Sequence, residues 1–339
     1  FFLEDGTEVF NVLDRNLAVQ ARHGKPLPKQ VLPFDDNSGA GFWWANSLNT
    51  FTRNVAAECD QYGYRFEATK EGDFNPILRV PQPDGGLKEV DVRTLPFVRF
   101  QDNEAHTMRR FAFNLGGIRH ISDENDWRQV RNSDGGRRND GDLTHIQGGH
   151  VQGVGPDYLH PYVIKNFKVW NSHWVFHGGS PCVFIDGIDA HACTYGIFKT
   201  RMDMHEYKNL KMSKIDTSEI FEPWGNSDVK ENYFRYIDPR HDDLPPTTVI
   251  TYVGQPKNGK ILVRGVTADN GAVRMVKVND HEVKPLRDNF TEWEVILDKL
   301  PTGKLVLSAS AVDSKGNAEP RPHQVVILGL NTASSSAGK

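Results

Sequence analysis

The sequence has no uninterrupted apolar run approaching the ~20 residues that a membrane-spanning helix requires, so no transmembrane segment is expected. Cysteine is scarce. Cys59, Cys182 and Cys193 are the only three in 339 residues, and their spacing fits neither a zinc motif nor a redox pair. An odd count leaves at least one thiol without an intramolecular partner, so disulfides are not expected to be the framework. Positive charge is not in excess, with 40 Lys and Arg against 44 Asp and Glu and a formal net charge of −4. A surface without a global positive field does not gather polyanions, and nucleic acid is not an expected partner. The chain opens on Phe1 and Phe2, without an initiator Met or the charged-then-apolar pattern of a secretory leader. It reads as a processed or truncated chain.

Helical periodicity is also nearly absent. Short alternating apolar runs bounded by Gly, Asn, Asp and Pro recur instead, which is the pattern of β-strands. These runs repeat with insertions of differing length. Asn16 in LDRNLAV, Asn54 in FTRNVAA, Asn103 in FQDNEAH and Asn171 in VWNSHWV each follow a strand-like run, at intervals of 38, 49 and 68 residues. The four are read as one structural position, an Asn ladder at a solenoid corner, where side-chain amides satisfy the polar groups of each bend. Phe167, Ile188 and Leu210 recur after 21 and 22 residues, about one coil of a parallel β-helix. YGYRF, RRFAF, HWVF and YGIF supply a second recurring element that would stack into one aromatic column.

The predicted fold is all-β: a right-handed parallel β-helix, a pectate-lyase-like solenoid, followed by an immunoglobulin-like β-sandwich. The β-helix is placed at residues 1–241, with a long polar, Gly-rich loop at 115–161 of the kind that carries function. HDDLPPTT supplies a Pro-stiffened linker at 242–246. Residues 247–328 show short strands separated by DNG, PTG and SKGN turns, which predicts a seven-strand sandwich without a disulfide. The polar residues at 329–339 read as a flexible tail.

FFLEDGTEVFNVLDRNLAV at the start, FWWANSLNTFTRNVAAECDQYGYRFE at 42–67 and FVRFQDNEAHTMRRFAF at 97–113 resemble the parallel β-helix region of the fibrocystin-like family. That family includes the cell-migration-inducing hyaluronan-binding protein and related cell-surface hyaluronidases. The resemblance covers residues 1 to about 215, and the C-terminal module resembles a bacterial immunoglobulin-like module. In relatives the FFLEDG motif lies inside a longer helix. The resemblance therefore implies that a second chain or subunit covers the N-terminal coil, with Phe1, Phe2 and Leu3 as contact residues. It transfers no catalytic residue to this chain.

Glycan-cleaving β-helices present carboxylates from neighbouring coils. Asp186, Asp189 and His191, beside His205, form the catalytic candidate group, because IDGIDAH alternates and projects Asp189 and His191 together. Glu4, Asp5 and Glu8 form an acidic candidate group for substrate binding. Trp127, set in the polar loop, is expected to be exposed for stacking on a sugar, whereas Trp43, Trp44, Trp170 and Trp174 read as core. On a strand His173 and His177 stand about 13 Å apart, too far for one ion, and His145/His150 lack a nearby carboxylate or thiol as third ligand, so no metal site is expected, and no motif names a cofactor. The functional reading is a secreted, periplasmic or cell-surface β-helix that binds, and in one form processes as a hydrolase or lyase, an extracellular polysaccharide. The alternative is a non-catalytic structural or accessory subunit of an envelope layer or protein complex.

Overall fold

The computed structural model describes residues 1–3, 5–24, 39–66, 77–82, 84–92, 97–115, 162–178, 182–198, 204–217, 220–221, 242, 244–269 and 271–330. The expected loop at 115–161, apart from Leu115, and the tail beyond Leu330 lie outside these residues. The chain divides into two compact units, Phe1–Pro81 with Leu87–Arg240, and Gln82–Gly86 with His241–Lys339.

The first unit is a parallel β-helix. One sheet stacks Phe2–Leu3, Ala40–Trp44, Tyr62–Phe66, Phe111–Leu115, Trp174–His177, Tyr195–Phe198 and Ile220–Phe221 in that order, every pair parallel. A second, bent sheet begins with pairs of short strands, Val12–Asp14 with Leu17–Val19, Thr50–Thr52 with Val55–Ala57, and Arg99–Gln101 with Glu104–His106. It continues as the long strands Tyr162–Trp170, Cys182–Cys193 and Met204–Ile215. Phe167, Ile188 and Leu210 stand in vertical register there, as their spacing predicts. Tyr62, Phe111, Trp174 and Tyr195 are likewise in register.

Along the bent sheet, left-handed residues stack in two columns. One column is Arg15, Arg53, Asp102, Asn166, Gly187 and Asn209, and the other is Gln20, Glu58, Thr107, Asn171, Ala192 and Lys214. Such a conformation costs a non-glycine residue roughly 1–2 kcal/mol, and the asparagines beside the first column offset it. Asn16 N and Nδ2 both donate to Asn54 Oδ1 at 3.0 Å, and Asn54 N and Nδ2 donate to Asn103 Oδ1 at 3.0 and 3.1 Å. Asn171 does not belong to this ladder. Register places Phe167 at the level of Asn103, so Asn171 lies at the second bend, donating from Nδ2 to Thr107 Oγ1 at 3.4 Å.

The interior is aromatic. Phe1, Phe42 and Tyr64 stack at 4.8 and 4.9 Å, and Phe100 packs on Phe113 at 4.7 Å. The buried Tyr64 hydroxyl lies 2.8 Å from the Asn54 carbonyl, which removes an otherwise costly unpaired polar group. Cys59 and Cys193 are buried free thiols.

Among its described residues the second unit holds two four-stranded antiparallel sheets, eight strands against the seven expected, two of them the two-residue edge strands His281–Glu282 and Lys284–Pro285. The arrangement is compatible with a sandwich, and its last strand, His323–Leu330, ends at Leu330. Its core centres on Trp293, whose Nε1 donates to Thr267 Oγ1 at 3.0 Å. Position 265 must be glycine, since a Cβ there would lie 2.0 Å from the Trp293 ring. No helix among the described residues is long and apolar enough to cross a membrane.

Candidate functional site

Along the bent sheet, inward residues such as Phe100, Ile164, Ile185, Ala105, Val169 and Ala190 are buried. Alternation sends their neighbours outward in three columns that cross successive coils. The first is Gln101, Lys165, Asp186 and Lys208, and the second is Glu104, Lys168, Asp189 and Lys211. The third is His106, Trp170, His191 and Ser213. Lys and Asp alternate across the strands in the first two, an arrangement in which opposite charges stabilise a sheet. In the third, His106 lies flat on Trp170 with centroids 4.4 Å apart and rings 5° from parallel. His191 Nδ1 is 2.8 Å from Ser213 Oγ.

The catalytic candidates are only partly assembled. Asp189 and His191 occupy neighbouring outward columns of the strand Cys182–Cys193. Asp186 precedes the bend at Gly187 and accepts a 2.7 Å hydrogen bond from Asn209 Nδ2. His205 lies opposite Val183, at the other end of the strands from the His191–Ser213 pair. Asp5 and Glu8 belong to the turn that precedes Val12–Asp14 and act on their own backbone. Asp5 Oδ1 accepts from Thr7 N at 2.8 Å and Thr7 Oγ1 at 2.6 Å, and Glu8 Oε2 accepts from Gly6 N at 3.1 Å. Burial raises the Glu8 carboxyl, whereas at Asp5 the effect of burial is outweighed by the Thr7 bonds, which hold it below its usual range. Glu4, Trp127 and the pair His145/His150 lie outside the described residues.

Trp170 corrects the sequence reading. Trp43 and Trp44 are core at 2% and 0% exposure, but Trp170 is 36% exposed. The signal was present in NFKVW, where Phe167 and Val169 point inward and Lys168 and Trp170 must therefore point out. The lysines of the outward columns went unnoticed for the same reason.

A second group lies on the other sheet, where Arg65, Asn114, His177 and Phe198 are in register. The Arg65 guanidinium donates to Asn114 Oδ1, and His177 lies flat against Phe198 at 4.3 Å. Among the described residues its buried Nδ1 has no hydrogen-bond partner. Burial, then the nearby Arg65 and Arg110, push the His177 pKa down to about 4, so it is neutral at physiological pH. In the second unit, Asp242, Asp269 and Asp313 each bring an oxygen within 4.8 Å of the others, the one group among the described residues with metal-ligand proximity. Asp313 already accepts from Lys315 N, Asn317 N and Asn317 Nδ2 at 2.9, 2.8 and 2.6 Å.

Register, the Asn ladder and the charged outer columns define a parallel β-helix protein. More particularly, residues 1–113 match the family model described as CEMIP beta-helix. Fibrocystin-L of Mus musculus is 29% identical over 114 residues, which is 33% of this chain and 2% of that protein. The chain thus carries a β-helix region of the fibrocystin-like and CEMIP type. The match spans a small fraction of the relative's length, and the family model ends before the three long strands that carry the outer columns. No solved structure matches this chain.

Proposed function

We propose that the protein is an extracytoplasmic β-helix, secreted, periplasmic or at the cell surface, that binds a polysaccharide on the outer face of Tyr162–Trp170, Cys182–Cys193 and Met204–Ile215. The third outward column carries this reading: an exposed indole backed by a histidine, with His191 and Ser213 on the next coils. An aromatic face suits the apolar face of a pyranose, and the adjoining Lys168, Asp189 and Lys211 offer donors and acceptors at one per coil. The C-terminal module serves as an immunoglobulin-like spacer or accessory binder.

Processing of the glycan would fall to Asp189 and His191, with Asp186 next along the strand. One observation favours the non-catalytic alternative. Asp186 is held by Asn209 and alternates with Lys165 and Lys208, which is how a sheet stabilises itself. A second chain would cover the N-terminal coil through Phe1, Phe2 and Leu3. The test is binding of the intact protein to a panel of immobilised polysaccharides, together with a reducing-end assay on those it binds. Binding that Trp170→Ala abolishes is expected, and binding of none, or undiminished binding by the variant, would overturn the reading. Release of new reducing ends, lost in Asp189→Asn, would assign the enzyme form.

A further inference from the structure

The first sheet carries a second set of outward rings, because its strands break alternation once. Gly63 faces inward, since a Cβ there would lie 2.9 Å from Ala105 Cβ and 3.4 Å from Ala56 Cβ. Tyr64 beside it also faces inward, edge-on to Phe100 and Phe167. Tyr62 therefore lies on the outer face, where the Arg65 guanidinium sits over its ring at 4.8 Å. Phe111, Trp174 and Tyr195 follow Tyr62 in register on the next coils. The column is not uniform. Tyr62 and Phe111 are buried at 8% and 7% exposure, whereas Trp174 and Tyr195 are part-exposed and lie nearly flat on each other, 4.2 Å apart and 12° from parallel.

Trp170 and Trp174 belong to one coil, the first on the bent sheet and the second on the other, on either side of the left-handed Asn171. They are four positions apart, at most about 13 Å of chain. Of the residues between them Ser172 is buried, while Asn171 and His173 are exposed. His173 stands edge-on to Tyr195 at 5.1 Å. From Trp170 onward the coil thus presents an indole, an amide, an imidazole and a second indole. Flat rings suit the apolar faces of sugars, and the amide and imidazole between them can bond the hydroxyls.

We propose that Trp174 and Tyr195 form a second sugar subsite, and that one polysaccharide chain turns the corner with the coil, from Trp170 past Asn171 and His173 to Trp174. The inference rests on the glycan reading above and adds to it a second subsite, a direction and a minimum length. The ligand lies across the helix axis. A chain running along the axis would leave Trp170 for His191 and Ser213, which offer hydrogen bonds and no second indole. A ligand of one sugar reaches one indole alone, so the site selects for polymers over their monomers.

The probe is a series of oligosaccharides of increasing length, from the disaccharide upward, cut from the polysaccharide that the panel identifies. Affinity of the full chain for each is measured by calorimetry. It should climb with length until both indoles are reached and then level. Trp174→Ala should remove that climb, lowering the affinity of the long members by about tenfold and leaving the shortest binder at its wild-type value, whereas Trp170→Ala lowers both. His173→Ala, at an exposed position, should weaken the long members by about threefold and spare the short ones. Protection of Cys182–Cys193 in amide exchange checks that each variant folds, and His173→Ala decides if Trp174→Ala does not. Folded variants that bind the long members as the wild type does overturn the proposal and leave the Trp170 reading standing. Equal losses for short and long members overturn it too, as does a length dependence that survives both variants and is removed by Ser213→Ala, which would run the chain along the axis. If Trp170→Ala itself leaves binding intact, the glycan reading falls and this proposal falls with it.

Discussion

The His106 imidazole and the Trp170 indole, on neighbouring strands, lie 5° from parallel with centroids 4.4 Å apart. The outer ring of that pair is 36% exposed, so its removal leaves no cavity. Trp170→Ala is expected to cost about 1 kcal/mol in urea unfolding, the scale of one aromatic pair. Polysaccharide binding should fall by at least about tenfold, with Trp170→Phe retaining part of it. A stability loss of several kcal/mol with unchanged binding would make the residue structural.

The ladder separates two asparagines that look alike in sequence. Asn54 is fully buried and accepts from Asn16 N and Nδ2 while donating to Leu13 O and Asn103 Oδ1. Asn54→Ala strands several buried polar groups and should cost about 3 kcal/mol or more. Asn171 is exposed with one long side-chain bond, and Asn171→Ala should cost about 0.5 kcal/mol. Urea midpoints of the two variants check the contrast.

What the sequence disclosed follows from what repeats by residue type. The strands, the ladder of Asn16, Asn54 and Asn103, and the column Phe167, Ile188 and Leu210 were legible because interior packing restricts those positions to one kind of side chain. The bends were not. A left-handed residue usually announces itself as Gly, yet here the position is held by Arg15, Arg53, Glu58, Thr107 and Ala192, because coil stacking over-determines the backbone and leaves the side chain free. Asn171 was misassigned on that account, since its residue type matched the ladder while its register did not. The outward site was half legible: alternation in IDGIDAH placed Asp189 beside His191, but the same rule applied to NFKVW would have turned Trp170 outward.

His177 makes the β-helix sensitive to acid. Its pKa is about 4 in the fold, lowered first by burial and then by Arg65 and Arg110, against about 6.5 when unfolded. The folded state thus prefers the neutral imidazole. Its contribution is present in full above pH ~6.5 and is lost as pH falls toward ~4, by about 3 kcal/mol in all. Urea unfolding of the first unit at a series of pH values should show that decline, and His177→Phe, which cannot ionise, should flatten it.

Glu319 works in the opposite sense in the second unit. Its oxygens accept from Thr248 N at 2.9 Å and Ala311 N at 3.1 Å, joining the strand Thr247–Val253 to Gly303–Asp313 across the two sheets. Burial outweighs those bonds and raises the carboxyl to about 7, so the folded state holds its proton where the unfolded chain, with a pKa near ~4.3, has released it. Stability is fully present below pH ~4.3, falls as pH rises toward ~7 and then levels, with a total span of about 3 kcal/mol. Glu319→Gln keeps one acceptor and cannot ionise, so it should flatten this slope without touching the His177 slope. The two units should therefore drift apart in opposite directions with pH. Two-transition urea curves at pH 5 and pH 8 measure this directly: the C-terminal transition should move to lower urea at pH 8 while the β-helix transition moves to higher. A C-terminal transition that strengthens between pH 5 and pH 8 would show that the two backbone N–H groups stabilise the Glu319 anion more than burial penalises it.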